Sequence, residues 1–262
     1  MPMSTTRKHI VKGIKEYFRR SGKTRAVLGL SGGIDSAVVA VLLVQALGKK
    51  NVTCLLLPTP SSSAANLADA RAVAKQLGVR HFIQPIYAFT KPFTRLPWKQ
   101  TKITTANLKA RIRATILYHY ANTRNALVVG TGNRTELMLG YFTKYGDGAV
   151  DLLPIGGLWK REVRALAREL KVPAPILEKA PTAELWPGQT DERELGLSYT
   201  QLDAILSALF DRQASPKQVI QEGFSRRQVE KVLARVKANQ HKAVPPPIIA
   251  PNDSYVFNPT QQ

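Results

Sequence analysis

Apolar residues fall into two patterns along this chain. Short, largely apolar runs occur at 27–30, 52–57 and 126–129, and with 81–86, which follows Gly78 and is interrupted by Gln84 and Pro85, they read as strands. Between them the apolar positions recur at helical spacing, over about 35–47 until Gly48, over 64–77 until Gly78, and over 103–120. Ahead of the first run, Ile10, Val11, Ile14, Tyr17 and Phe18 mark an amphipathic entry helix within 7–22, with a basic outer face. Further helices are predicted over 159–170, 198–210 and 225–240. Strands alternating with helices in this way form βαβ units. The expected fold is therefore a single α/β domain over 1–262, with a doubly wound, mostly parallel sheet in a core of 24–172 and a helical C-terminal part. Ligands of such a sheet lie beyond the carboxyl ends of its strands.

Three segments lack either period. Residues 87–100 hold aromatics, prolines and basic residues, and are expected to be irregular or briefly helical. Residues 173–192 are proline-punctuated and long, as expected of a mobile lid loop. Residues 243–262 hold three consecutive prolines at 245–247 and are expected to be an extended tail.

Charge changes the picture more than composition does. The chain has 38 basic and 18 acidic residues, a net charge of +20. No acidic residue falls between Asp69 and Glu136, whereas twelve Lys and Arg do. Such a field attracts polyanions, nucleotides or nucleic acid, or else only adds solubility. No apolar run approaches the ~20 residues that span a bilayer, and the first residues lack the apolar core of a signal peptide. The single cysteine, Cys54, lies inside an apolar run, so it reads as a small buried hydrophobe, and a reducing cytoplasm is expected.

The chemistry is concentrated where the first strand ends. Ser31-Gly-Gly-Ile-Asp-Ser36 joins a strand to a helix start, where backbone N–H groups and the helix dipole make a phosphate site. It lacks the lysine of a Walker A loop. Asp35 beside phosphates would be repulsive without a cation, so Mg²⁺ is implied. Glu136, just past a later strand end, is a plausible second metal ligand, though a glutamate there also suits a helix start. The loop 58–63 is placed to wall an adenine and ribose. The stretch Gly140-Tyr-Phe-Thr-Lys-Tyr-Gly-Asp-Gly148 reads as a ligand loop.

The Ser-Gly-Gly-x-Asp-Ser loop resembles the pyrophosphate loop of N-type ATP pyrophosphatases. With Asn107-Leu-Lys-Ala-Arg111, Gly130-Thr-Gly-Asn-Arg-Thr-Glu136, the 140–148 loop, Asp151-Leu-Leu-Pro154, Pro181-Thr-Ala-Glu-Leu-Trp186, Gly196-Leu-Ser-Tyr199 and His241-Lys242, nearly the whole chain is similar to ammonia-dependent NAD synthetases. Members often carry Asp where this chain has Glu184, and Asp-His in place of Gly132-Asn133. The resemblance implies an adenine nucleotide alpha hydrolase-like fold and ATP-dependent amidation of deamido-NAD by ammonia, through an adenylated nicotinate carboxylate. It implies that Gly29, Leu30, Ser31, Gly32, Gly33, Ile34, Asp35, Ser36, Thr131, Lys160 and Thr182 bind ATP. It assigns deamido-NAD to Arg111, Lys144, Asp151, His241 and Lys242, and Mg²⁺ to Asp35 and Glu136. Asp35, Lys160 and Thr182 are expected to act electrostatically, with no acid or base residue. The partners implied are ATP, deamido-NAD and ammonia, with a homodimer holding the substrate at its interface. The chain has no room for the amidase domain of larger relatives, so ammonia is expected free or from a separate protein. An RNA-modifying ATP pyrophosphatase would suit the loop and the charge, but no RNA-binding module or catalytic cysteine pair is visible, and nucleic acid is not an expected partner. A silent nucleotide-binding protein is the third reading.

Overall fold

The computed structural model describes residues 2–182, 186 and 188–249. The predicted lid residue Glu184 and the tail from residue 250 lie outside them. Helix α1 (Met3–Arg20) leads into β1 (Arg25–Gly29), α2 (Ile34–Leu47) and β2 (Val52–Leu56). These are followed by α3 (Ala64–Leu77), β3 (Arg80–Ile83), the short α4 (Tyr87–Thr90), and the long α5 (Lys102–Arg124). After β4 (Ala126–Val128) come α6 (Arg134–Leu139) and α7 (Lys160–Glu169). The chain then forms α8 (Ala174–Glu178), α9 (Asp191–Leu195), α10 (Tyr199–Phe210), α11 (Pro216–Gln221) and α12 (Arg226–Asn239).

The four strands form one parallel sheet in the order β3-β2-β1-β4. Successive side chains of a strand face opposite sides of the sheet, and both sides are buried here. Ala26 and Leu28 of β1 join a core with α1, α2, α3 and α7, in which Ile14, Phe18, Leu42 and Leu166 are buried. Val27, Leu55 and Val128 face the other way, against Ile116, Leu117 and Ala121 of α5. A second core, centred on Ile205, Leu206 and Val229, packs α10, α11 and α12 against Leu139 and Trp159. The fold class expected from the pattern is the one observed. Strand order reverses direction between β1 and β4, so the crevice between their carboxyl ends is where a ligand belongs. The residues after those strands are Ser31 to Ser36 and the run from Gly130 to Glu136.

The differences from expectation are local. The entry helix begins four residues earlier, at Met3. The third strand stops at Ile83, although Gln84 and Ile86 still donate to the carbonyls of Leu56 and Pro58. The 173–191 segment is not wholly irregular. Pro173 opens α8, and α9 begins at Asp191.

Candidate active site

The phosphate loop is built by its own small side chains. Gly33 precedes α2 and has no side chain to cap it, so the first amides of that helix face outward for a ligand. The Ser36 hydroxyl donates to the Gly33 carbonyl (3.0 Å), the Gly33 N–H donates to Ser31 Oγ (3.2 Å), and the two serine hydroxyls lie 3.1 Å apart. Asp35 stands in the first turn of α2, where the dipole favours a carboxylate.

Across the crevice, Asn133 caps α6. Its Oδ1 accepts from the Glu136 N–H (3.0 Å), while Glu136 Oε2 accepts from the Asn133 N–H (3.2 Å). The helix-start reading of Glu136 is the one seen: Oε2 closes the start of α6, and Oε1 faces Lys160. Asn133 also reaches over, its Nδ2 donating to Asp35 Oδ1 (3.1 Å). Lys160, first residue of α7 and only 2% exposed, places its Nζ 2.5 Å from Asp35 Oδ2 and 3.5 Å from Glu136 Oε1. The Nζ also lies 5.0 Å from the Tyr199 ring centroid. Burial opposes the Lys160 charge, but the carboxylates of Asp35 and Glu136 outweigh it and hold the ammonium above the usual lysine value. Burial pushes the Glu136 carboxyl above the ordinary carboxylate range, Lys160 pulls it back, and Asp35 adds to the rise. Two carboxylates thus converge beside a phosphate loop with a single ammonium between them.

A cleft of about 440 Å³ adjoins the start of the phosphate loop at Leu30 and Ser31, while Asp35, Glu136 and Lys160 are not among its lining residues. Gly29, Ser31 and Thr131 line the cleft, and so do Pro58, Ser62 and Ser63 of the 58–63 loop. Lys242 also lines it. Arg111, Lys144 and His241, predicted like Lys242 for the second nucleotide, are not among the lining residues but are joined to one another by hydrogen bonds. Arg111 Nε donates to the Lys144 carbonyl (3.3 Å), and Lys144 Nζ donates to the carbonyls of His241 (2.5 Å) and Val244 (3.3 Å). Lys242 Nζ donates to the carbonyls of Gly140 (2.9 Å) and Phe142 (3.3 Å). Burial and the nearby Arg235 lower its ammonium, with Asp147 opposing them.

Of the predicted site residues, Gly29, Leu30, Ser31, Thr131 and Lys242 line the cleft, and the others, Asp151 and Thr182 among them, do not. Asp151 accepts from the Val128 N–H (2.7 Å) through Oδ2 and from the Tyr118 hydroxyl (3.0 Å) through Oδ1, so its carboxylate ties β4 to α5. The Thr182 hydroxyl donates to the Gln189 carbonyl (2.8 Å) within the 173–191 segment. Sequence reading missed the bridging role of Asn133 and the place of Tyr199 beneath the lysine. It also missed Arg113, whose Nε donates to the Leu57 carbonyl (3.0 Å) on the cleft wall. The one signal available was that Asn133 and Tyr199 both lie inside the motifs singled out.

A parallel sheet with a glycine-rich loop and Asp35 after β1, Glu136 facing it after β4, and a cleft at the switch point defines a nucleotide-binding enzyme of the adenine nucleotide alpha hydrolase-like fold. The chain belongs to the NAD synthase family, whose model matches residues 6–246. It is 46% identical over 252 residues to the NH(3)-dependent NAD(+) synthetase of Archaeoglobus fulgidus, covering 93% of this chain and 97% of that protein. To the enzyme of the same description from Pyrobaculum aerophilum it is 47% identical over 237 residues, covering 89% and 87%. Among solved structures, the NMN synthetase from Francisella tularensis matches with a TM-score of 0.85 and 33% identity, covering 96% of this chain and 99% of that one. The NH3-dependent NAD synthetase from Campylobacter jejuni matches with a TM-score of 0.82 and 34% identity, covering 95% and 100%.

Proposed function

We propose that this chain converts deamido-NAD, ATP and ammonia into NAD, AMP and pyrophosphate. The observation that carries the reading is the convergence of Asp35, Glu136 and Lys160 beside the phosphate loop, whose Ser31 lines a cleft that Arg113, Arg235 and Lys242 also line. Two anions must meet here, a nicotinate carboxylate and the α-phosphate of ATP, so neutralisation and positioning supply the catalysis. The loop from Gly29 to Ser36 grips the β- and γ-phosphates through backbone N–H groups and the two serine hydroxyls. Thr131 lies beside them on the same cleft, and Thr182 closes toward ATP from the 173–191 segment. Lys160, freed from Asp35, follows the charge that develops on the leaving pyrophosphate. Arg111, Lys144, His241 and Lys242 hold the deamido-NAD phosphates, with Asp151 supporting them through the β4–α5 tie. The carboxylate oxygen attacks the α-phosphorus and the bond to the pyrophosphate oxygen breaks. Ammonia then attacks the acyl carbon of the adenylate and AMP departs, leaving the amide.

The donor set also fits a divalent ion. Asp35 and Glu136 offer hard carboxylate oxygens on either side of one ammonium, and Mg²⁺ is usually held by one or two carboxylates plus substrate phosphates. Mg²⁺ bound there would shield the phosphate charge that the carboxylates otherwise repel. The enzyme is further proposed to act in the cytoplasm as a homodimer, with deamido-NAD at the subunit interface and ammonia taken free or from a separate protein. Light scattering at assay concentration should give twice the chain mass, and a monomer would contradict the dimer.

Incubation with deamido-NAD, ATP, Mg²⁺ and ammonium should yield NAD and AMP in equal amounts, and the absence of both would overturn the reading. The resemblance to the Francisella NMN synthetase favours one second reading, amidation of the mononucleotide. A higher kcat/KM for nicotinate mononucleotide than for deamido-NAD, measured side by side, would replace the first reading by the second.

A further inference from the structure

Lys160 reaches Asp35 and Glu136 only if α6 and α7 begin at the right places relative to each other. The N-cap of α7 is Trp159, which has no side-chain oxygen to offer the first amides of the helix. Their partners come from elsewhere. The Lys160 N–H donates to Thr135 Oγ1 (3.0 Å), and the Arg161 N–H donates to Asp203 Oδ2 (2.7 Å). The Thr135 hydroxyl donates in turn to Asp203 Oδ1 (2.6 Å). Asp203 is fully buried on α10, in phase with Tyr199, Leu202 and Leu206 on the core-facing side of that helix.

A carboxylate in such a place is costly unless its oxygens are well satisfied, and core packing alone would be served better by an apolar residue. Here both oxygens are taken, and by the two helix starts that carry the cluster. Thr135 precedes Glu136 on α6, and Lys160 with Arg161 opens α7. We propose that Asp203 is a positioning residue of the reaction. It holds the starts of α6 and α7 at one fixed separation, through Thr135 and the Arg161 amide, and thereby keeps the Lys160 ammonium between the two carboxylates. It touches no substrate. The C-terminal helices thus take part in the site as its clamp, and the inference rests on the ATP-dependent reading above.

The test compares the parent enzyme with D203N, which keeps the shape and one acceptor oxygen, and with T135V, which removes the hydroxyl link. Each variant should bind MgATP about tenfold more weakly by calorimetry without the second substrate. Each should lower kcat about 10- to 100-fold, the scale of a misplacement near 1 Å. KM for deamido-NAD should stay within twofold, because the hydrogen bonds of Arg111, Lys144 and Lys242 run to carbonyls within 140–144 and 241–244 and not to this clamp. The double variant should lose less than the product of the two single losses, since both disturb the Thr135–Asp203 bond although T135V alone removes the acceptor of the Lys160 amide. MgATP affinity and kcat within twofold of the parent, with only a lower Tm, would reduce Asp203 to a fold-stabilising group and overturn the proposal. So would fully multiplicative losses in the double variant. T135V carries the test if D203N does not fold. If the parent makes no NAD, the proposed function fails, while the MgATP comparison still decides the role of Asp203.

Discussion

Gly32 turns the phosphate loop at a φ of +84°, and a Cβ there would lie 2.1 Å from the Asn66 carbonyl oxygen. The left-handed backbone alone costs a non-glycine residue roughly 1–2 kcal/mol, and the contact with Asn66 is with backbone that cannot rotate away. Gly32→Ala should therefore lower Tm and abolish detectable MgATP binding in a calorimetric titration. Asp35 holds both Lys160 and Asn133, so Asp35→Asn removes a charge that two neighbours are built around. Turnover should fall on the order of 10²–10³-fold, as for loss of one preorganised electrostatic partner, and an unchanged rate in the NAD assay would refute the role. Cys54 gives a pH signature independent of the site. Burial pushes its thiol up to about 12, above its unfolded value near 8.5. The folded state therefore prefers the protonated thiol. The associated stability is complete below pH ~8.5 and is lost as pH rises toward 12. Dithionitrobenzoate at pH 8 should find no reactive thiol in the native enzyme and one in denaturant.

At the scale of elements, legibility followed length and capping. The helix expected over 64–77 is α3, bounded as expected, because Ser63 caps it and Gly78 ends it at a positive φ of 63°. Helices α6, α9 and α11 are too short for a 3.6-residue period to declare itself, and each forms because its ends are capped or its neighbours hold it. The site was legible where chemistry needs a particular residue type next to a turn, as at Asp35 and Glu136. Lys160 came only through the family resemblance, since a lysine at a helix start is ordinarily a surface residue. Asp203 was illegible because its partners are a hydroxyl and a backbone amide brought to it by tertiary packing. Only its acidic character on an apolar helix stripe hinted at a buried partner. The clamp helix should also be thermodynamically important. Ile205 is fully buried at the centre of the second core. Ile205→Ala should cost about 2–5 kcal/mol and lower Tm on the order of 10 °C in a calorimetric scan. Because α10 carries Asp203, that loss should be accompanied by weaker MgATP binding. Val73→Ala, in the other core, should lower Tm without it.

At the scale of the molecule, the charge of +20 is arranged rather than scattered. The acid-free span from residue 70 to 135 contains α5, which lines the cleft through Ala106, Asn107 and Arg113 and carries Arg111 toward the Lys144 loop. Arg113 of this span lines the cleft together with Arg235 and Lys242. Lys109 on the same helix is lowered below the usual lysine value, by burial first and by Arg113 second, so cations there are already crowded. Both nucleotide substrates carry several negative charges, and a single-signed field around a cleft raises their local concentration and their association rate. Such steering acts over distances that salt shortens, from a Debye length of about 10 Å at 0.1 M to about 3 Å at 1 M. Contacts inside the cleft are screened much less. Raising sodium chloride from 0.05 to 0.5 M should therefore increase KM for ATP and for deamido-NAD several-fold while kcat changes little. A KM that stays flat for both substrates across that range would leave the basic span with solubility as its only role.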